Sequence, residues 1–402
     1  VLQIGAVLLD RAADLLGDGE QCGIDPGHEL HQHRNLVPLT ERAARRHPGP
    51  NRVLDLRQRA GVESAAARRE IGRLAHVGCA AQVGLGRLVE QRDRLGRQLL
   101  AALDLLCVRR RAEGCGEQGS RLAGYYQGMY AFGLEEMADY ARAEEAGQRA
   151  VASDRRDAWA IHAVAHVMEM TNRIEDGQAW LSTRADDWSP DNFFAVHNWW
   201  HLALYYFDQH RWDEVLKIYD TRVRGSDSTV IMDMLDASSL LWRLKLHSVD
   251  VGDRWRRMAE AWEPRIDDAW YSFNDTHAMM AFAGAGRRDL ADRLLAVMSR
   301  TAAASTDNGT MTRTVGLPVA EAILAFAEGR YGATVERLAP VKAIAARAGG
   351  SHAQRDLLAQ TLLAAAEKSG QHRFARSLLH ERMALKPNSR LNRDWMRRVA
   401  SA

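Results

Sequence analysis

No aromatic side chain, no methionine and no lysine occurs in the first 124 residues. All 28 aromatics (11 Trp, 9 Tyr, 8 Phe), all 13 Met and every Lys lie at or beyond Tyr125 of this 402-residue chain. At the later density a stretch of that length should hold about a dozen aromatics, so the chain is two unlike pieces. Cysteine shows the opposite pattern: Cys22, Cys79, Cys107 and Cys115 are all in the first piece. Their irregular spacing excludes a disulfide framework and makes a reducing cytoplasm the expected compartment. No apolar run approaches the roughly 20 residues that span a bilayer, so no membrane is expected. The net charge is only +2, which leaves no electrostatic footprint for nucleic acid or an anionic surface. Nucleophile elbow, glycine-rich phosphate loop and dinucleotide fingerprint are all missing.

Residues 1–121 are built from Ala, Gly, Leu, Arg, Gln and Glu, without the large side chains that dominate core burial. The opening VLQIGAVLLD lacks a basic lead and a cleavage site, so it is not read as a signal peptide. Cys22 with His28, His31 and His33 matches no closed zinc spacing. Two readings stand for this piece: a poorly ordered helical extension, or a mis-started or frame-shifted translation of GC-rich, bacterial DNA, to which the excess of Arg over Lys also points.

From residue 122 to 402 the pattern is helical and repetitive. Leu122–Met137 is followed by Ala138-Asp139-Tyr140 and a second helix through Ala143, Gly147 and Ala150. Similar joins recur at Asn172-Arg173-Ile174, His210-Arg211-Trp212, near Val251-Gly252-Asp253, and at Gly286, Gly329 and Gly370, with the last unit ending at Pro387. Small residues that let antiparallel helices approach, with turns at this period, are the mark of tetratricopeptide-like hairpins. The fold class expected is all-α, an α-α superhelix of helical repeats. Ala303–Thr312, rich in Thr, Ser, Asn and Gly, reads as a connecting loop able to act as a lid.

Such an array needs only small and bulky consensus positions, and this one carries more. His162 and His166 stand at i and i+4, hence on one helix face, and His197 and His201 repeat the device one unit later. The repeat register puts these first helices beside the concave groove. Phe273-Asn274-Asp275-Thr276-His277 and Ser351-His352-Ala353-Gln354-Arg355-Asp356 open later first helices with similarly polar sets.

These segments resemble the tetratricopeptide repeat protein 38 family. The resemblance rests on HAVAHVMEM (162–170), NFFAVHNWWHLALYYFD (192–208), DASSLLWRLKL (236–246), FNDTHAMMAFAGAG (273–286) and SHAQRDLLAQTL (351–362), in order over roughly Gly124 to Pro387. It implies a cytoplasmic helical-repeat protein from a family without an assigned reaction. Members carry a matching helical region at the amino end with its own aromatics, which residues 1–120 do not match.

Three uses of the histidines remain open. They can form a hydrogen-bonded seam between helices in a scaffold for protein partners. They can line a groove for a small molecule or peptide, with His162, His166, His197, Asn198, Trp199, His201, Asn274, His277, His352 and Arg355 as contacts and Tyr206, Trp242 and Trp270 adding stacking area. Or they can serve an enzyme. In the metal version, His162, His166, His197 and His201 chelate a divalent cation, with Glu169 or Asp275 as third ligand, orienting partner or base. Ala163 stands where a metalloprotease helix would place its glutamate. In the metal-free version, His166 or His201 acts as base oriented by Asp275 or Asp356, with His277 a further catalytic candidate. The expected geometry is one cluster of His162, His166, His197, His201 and His277, closed by His352 and Arg355.

Overall fold

The computed structural model describes residues 123–400, and the readings made for residues 1–121 lie outside them. Among the described residues there is no strand, and the regular structure is all helical. Seven helix pairs follow one another: α1 (Ala123–Glu136) with α2 (Tyr140–Ser153), α3 (Ala158–Met170) with α4 (Ile174–Ser182), and, after the short α5 (Ala185–Trp188), α6 (Ala195–Asp208) with α7 (Trp212–Ile218). Next come α8 (Ile231–Leu246) with α9 (Arg254–Trp262), then α10 (Ser272–Gly284) with α11 (Arg288–Ala302). After the short α12 (Asp307–Met311) come α13 (Leu317–Ala327) with α14 (Tyr331–Val341), α15 (His352–Lys368) with α16 (His372–Leu385), and a final α17 (Arg390–Ala400).

The joins are made alike. Ala138, Asn172, His210, Ser248, Gly286, Gly329 and Gly370 all have positive φ. In each turn the following amide donates five residues back, as Asp139 does to the Leu134 carbonyl and Arg173 to the Met168 carbonyl. The positive-φ residue's own amide donates to the carbonyl three residues back, completing a Schellman cap that satisfies the free carbonyls of the first helix. Alanine, histidine or serine in that conformation costs roughly 1 kcal/mol relative to glycine. The fourth turn is therefore at Ser248, a few residues before the expected Val251-Gly252-Asp253. The expected loop 303–312 is largely helical: the Thr306 hydroxyl caps α12 by accepting from the Gly309 amide at 3.0 Å.

First helices pack on first helices throughout, in the order α1, α3, α6, α8, α10, α13 and α15. Small residues set the spacing: a Cβ on Gly177 of α4 would stand 2.1 Å from the Tyr205 ring of α6. The inner row also folds back on itself, because α15 packs against α3 and α8 as well as α13 and α14. The link after α16 leans on the earlier turns, with the Asn388 amide donating to Asn172 at 2.6 Å and the Arg390 amide to Asp208 at 3.0 Å. The face of α3 and α6 that an open groove would expose is thus covered. Every residue of α3 from Ala158 to Glu169 is buried.

Candidate metal centre

Helical spacing brings His162 and His166 onto one side of α3 and His197 and His201 onto the facing side of α6. Their rings are 4.4 to 5.0 Å apart between centroids where they meet. Each of the four offers a nitrogen within 4.8 Å of the others, and the set can hold a metal ion. None is more than 3 % exposed. Phe132, Trp159 and Phe194 pack on the His162 ring, and Trp200 stacks on His197 at 5.2 Å. This apolar jacket excludes water, a condition that strengthens every electrostatic interaction inside it.

Carboxylates from three different helices face three of the imidazoles. His197 Nδ1 is 2.8 Å from Asp236 of α8. His166 Nδ1 is 3.5 Å from Glu135 of α1, and His201 Nδ1 is 3.4 Å from Glu169 of α3. The last two separations exceed a good hydrogen bond. Both nitrogens of His162, His166 and His201 are buried without a hydrogen-bond partner. An ionised carboxylate only accepts, so a ring facing one carries its proton on Nδ1 and keeps a lone pair on Nε2. His162 alone has no carboxylate beside it.

Burial, followed by the neighbouring imidazoles, holds His162 and His201 well below the usual histidine range. Their rings are therefore neutral, with lone pairs available, at neutral pH. Burial pushes His166 the same way, but the Glu135 charge outweighs it and the result is upward.

The remaining expected site residues are placed less uniformly. His352 and Arg355 of α15 reach the cluster's edge through α1: Glu136 accepts from the His352 amide at 2.9 Å and lies 3.2 Å from the Arg355 guanidinium. Burial would lower the His352 pKa, but Glu135 and Glu136 outweigh it and raise it to about 9. His277 stands apart from the four: its Nδ1 takes the Phe273 carbonyl at 2.8 Å and its ring packs on Phe273. The expected five-histidine cluster is therefore one of four, because α10 follows α8 in the inner row and meets neither α3 nor α6 closely.

Asn198 is a tie between helices, its amide donating to the Ala158 carbonyl at 3.2 Å. Trp199 points to the other side of α6, where it donates to Ser189 at 3.1 Å and packs on Trp188. Tyr206 lies under Arg211, Trp242 is fully buried against Thr361, and Trp270 is 74 % exposed. These aromatics do not share a wall. Asn274 and Asp275 sit at the start of α10, each with a buried oxygen lacking a partner. Burial, with Asp268 nearby, pushes Asp275 up to about 7. Asp356 is neutralised by Arg382, and burial notwithstanding, that ion pair holds its carboxyl well below the usual range.

Sequence reasoning missed Glu135, Asp236, Phe132 and Phe194. Asp236 opens the segment 236–246 already singled out for its resemblance, and Glu135-Glu136 precede the first turn, so a search for carboxylates at helix ends would have found them. A cleft next to the centre was also missed. It is lined by Glu169, Arg243, Asp356, Gln360, Arg382 and Lys386, among others. No helix among the described residues is long and apolar enough to cross a membrane. No family model matches the chain.

Proposed function

We propose that this is a tetratricopeptide-like α-α superhelix, akin to the tetratricopeptide repeat protein 38 family, that binds one divalent transition metal at His162, His166, His197 and His201. The observation carrying this reading is the set of four buried imidazoles gathered within 4.8 Å, three of which have no hydrogen-bond partner at either nitrogen. A hydrogen-bonded seam would satisfy those nitrogens, since buried polar groups left without partners cost about 1–3 kcal/mol each. Imidazole donors suit Zn, Cu, Fe or Ni. Carboxylates at Nδ1 of His166, His197 and His201 orient these rings and raise their basicity, the arrangement that typifies metal-ligating histidines. His162, without such a partner, is the ligand most easily displaced, so a substrate atom approaching the metal would enter at its position.

A second reading, a groove protein for a small polar molecule, draws on the cleft beside Glu169. That carboxylate touches His201 on one side and Lys386 on the other. An anionic group bound by Arg243, Arg382 and Lys386 would lie next to the centre, which also suits a metal-dependent enzyme.

Elemental analysis of the purified chain tests the metal reading. About one Zn, Fe, Cu or Ni per chain, lost in a His162→Ala, His197→Ala double variant that keeps its helical circular dichroism, is the expected result. Metal-free protein that takes up none of these ions on titration would overturn it and leave the cleft reading.

A further inference from the structure

Three carboxylates flank the histidine cluster, and they differ in how their charge is met. Asp236 makes a 2.8 Å hydrogen bond to His197. Glu169 has the Lys386 ammonium at 3.2 Å. Glu135 is 0 % exposed, and neither of its oxygens has a hydrogen bond. A carboxylate so placed is costly unless a cation faces it. Around it stand His166 Nδ1 at 3.5 Å, His352 Nδ1 at 3.8 Å and the neighbouring Glu136, itself 3.3 Å from His352 Nδ1. Donor atoms of Glu135, Glu136 and His166 all lie within 4.8 Å of one another. The His352 and His166 nitrogens that face them have no hydrogen-bond partner.

These separations are long for hydrogen bonds, but they fit a shared metal. Two ligands each about 2.1 Å from a tetrahedral ion are about 3.4 Å apart. His166 turns Nδ1 toward the carboxylates, leaving Nε2, on the far side of the ring, for the other three histidines.

We infer that Glu135, Glu136, His166 and His352 bind a second divalent transition metal, which displaces the protons on the His166 and His352 nitrogens facing it, so that His166 bridges a two-metal centre as an imidazolate. The bridge rests on the four-histidine reading above. The second ion sits at the edge reached by α15, where His352 and Glu136 are partly exposed, so it exchanges faster than the ion among the buried histidines. Two-metal sites of this kind can hold both the attacking and the leaving atom of a displacement. The carboxylates supply negative charge that imidazole ligands alone do not bring to a divalent ion.

Zinc titration of the metal-stripped full chain by calorimetry, with zinc content measured after dialysis, separates the two claims. The parent is expected to bind two equivalents. Glu136→Gln and His352→Ala, both at partly exposed positions, should weaken one equivalent about tenfold or more and leave the other unchanged. A Glu135→Gln, Glu136→Gln variant should bind one, and its circular dichroism should match the parent. His162→Ala, which removes a ligand of the first site alone, should spare the second equivalent. A parent that binds one zinc, unchanged in Glu136→Gln and His352→Ala and lost in His162→Ala, would overturn the second site and leave the histidine centre standing. A parent that binds none would overturn both.

Discussion

His277 and His162 are both buried histidines on first helices, and their fates differ. His277 bonds the carbonyl four residues back on its own helix, that of Phe273. Burial lowers its pKa to about 4 against the opposing pull of that contact, and leaves an ordinary neutral ring. For His162 the corresponding carbonyl, Ala158, accepts from Asn198 of the next helix instead. Its ring then faces three further imidazoles, two of which, His166 and His201, likewise have no hydrogen-bond partner. A single buried histidine can be satisfied by its own helix. Four packed ring to ring leave three of them without a hydrogen-bond partner, because each neutral imidazole has one donor and one acceptor to satisfy and much of the surrounding box is aromatic. The difference marks one region as core and the other as a cluster able to hold a metal ion.

Chelation tests this contrast hardest. A metal present at about a thousand times its dissociation constant stabilises the fold by about 4 kcal/mol. Stripping it should therefore lower Tm by roughly 8–16 °C for a domain of this size. His277→Gln should not alter that response. Equal Tm values with and without chelator would make the four-histidine region a seam of the His277 kind and dissolve the comparison.

Asp275, two residues before His277, gives the next largest effect. Burial raises its folded pKa to about 7 from the ordinary 3.8. The folded state therefore holds the proton more tightly than the unfolded chain. The stability this confers is fully present below pH 3.8 and is lost as pH rises through 7. A shift of this size has a ceiling of about 4 kcal/mol, and relaxation around the charge brings the expected gain of Asp275→Asn to about 2 kcal/mol at pH 8.5. Urea denaturation of parent and variant at pH 4 and pH 8.5 should show the gain only at the higher pH. A gain equal at both would sink this account of Asp275.

Asp236→Asn should come third. It keeps the shape beside His197 but removes the charge, so metal affinity should fall about 10–100-fold with little change in the metal-free Tm. Competition against a chromophoric chelator reads this directly. An unchanged affinity would mean that His197 is not a ligand. Smallest is His277→Gln itself, which forfeits one backbone contact and is expected to cost about 1 kcal/mol with metal content unaltered. Loss of metal in that variant would join α10 to the centre after all.

Much of the helical frame was readable because it is local. Apolar periodicity, small residues at the helix contacts and turn chemistry at Asn172, His210, Gly286, Gly329 and Gly370 are all features of neighbouring residues. The turn at Ser248 was harder, since serine is an unusual choice for a left-handed cap and Gly252 nearby was the stronger signal. The i, i+4 spacing put His162 over His166 and His197 over His201 by helix geometry alone. Trp199, adjacent to His197 and His201 in none of these rows, turns the opposite way for the same reason.

Spacing along one chain therefore determined which imidazoles share a helix face, because 3.6 residues per turn is a property of the backbone. Only the stack decided that two such faces meet, that Glu135, Glu169 and Asp236 arrive from three helices to face them, and that α15 closes over what would have been an open groove. Those contacts join residues separated by tens to hundreds of positions. They depend on how whole helices seat their small and bulky side chains against one another, and no local pattern records that.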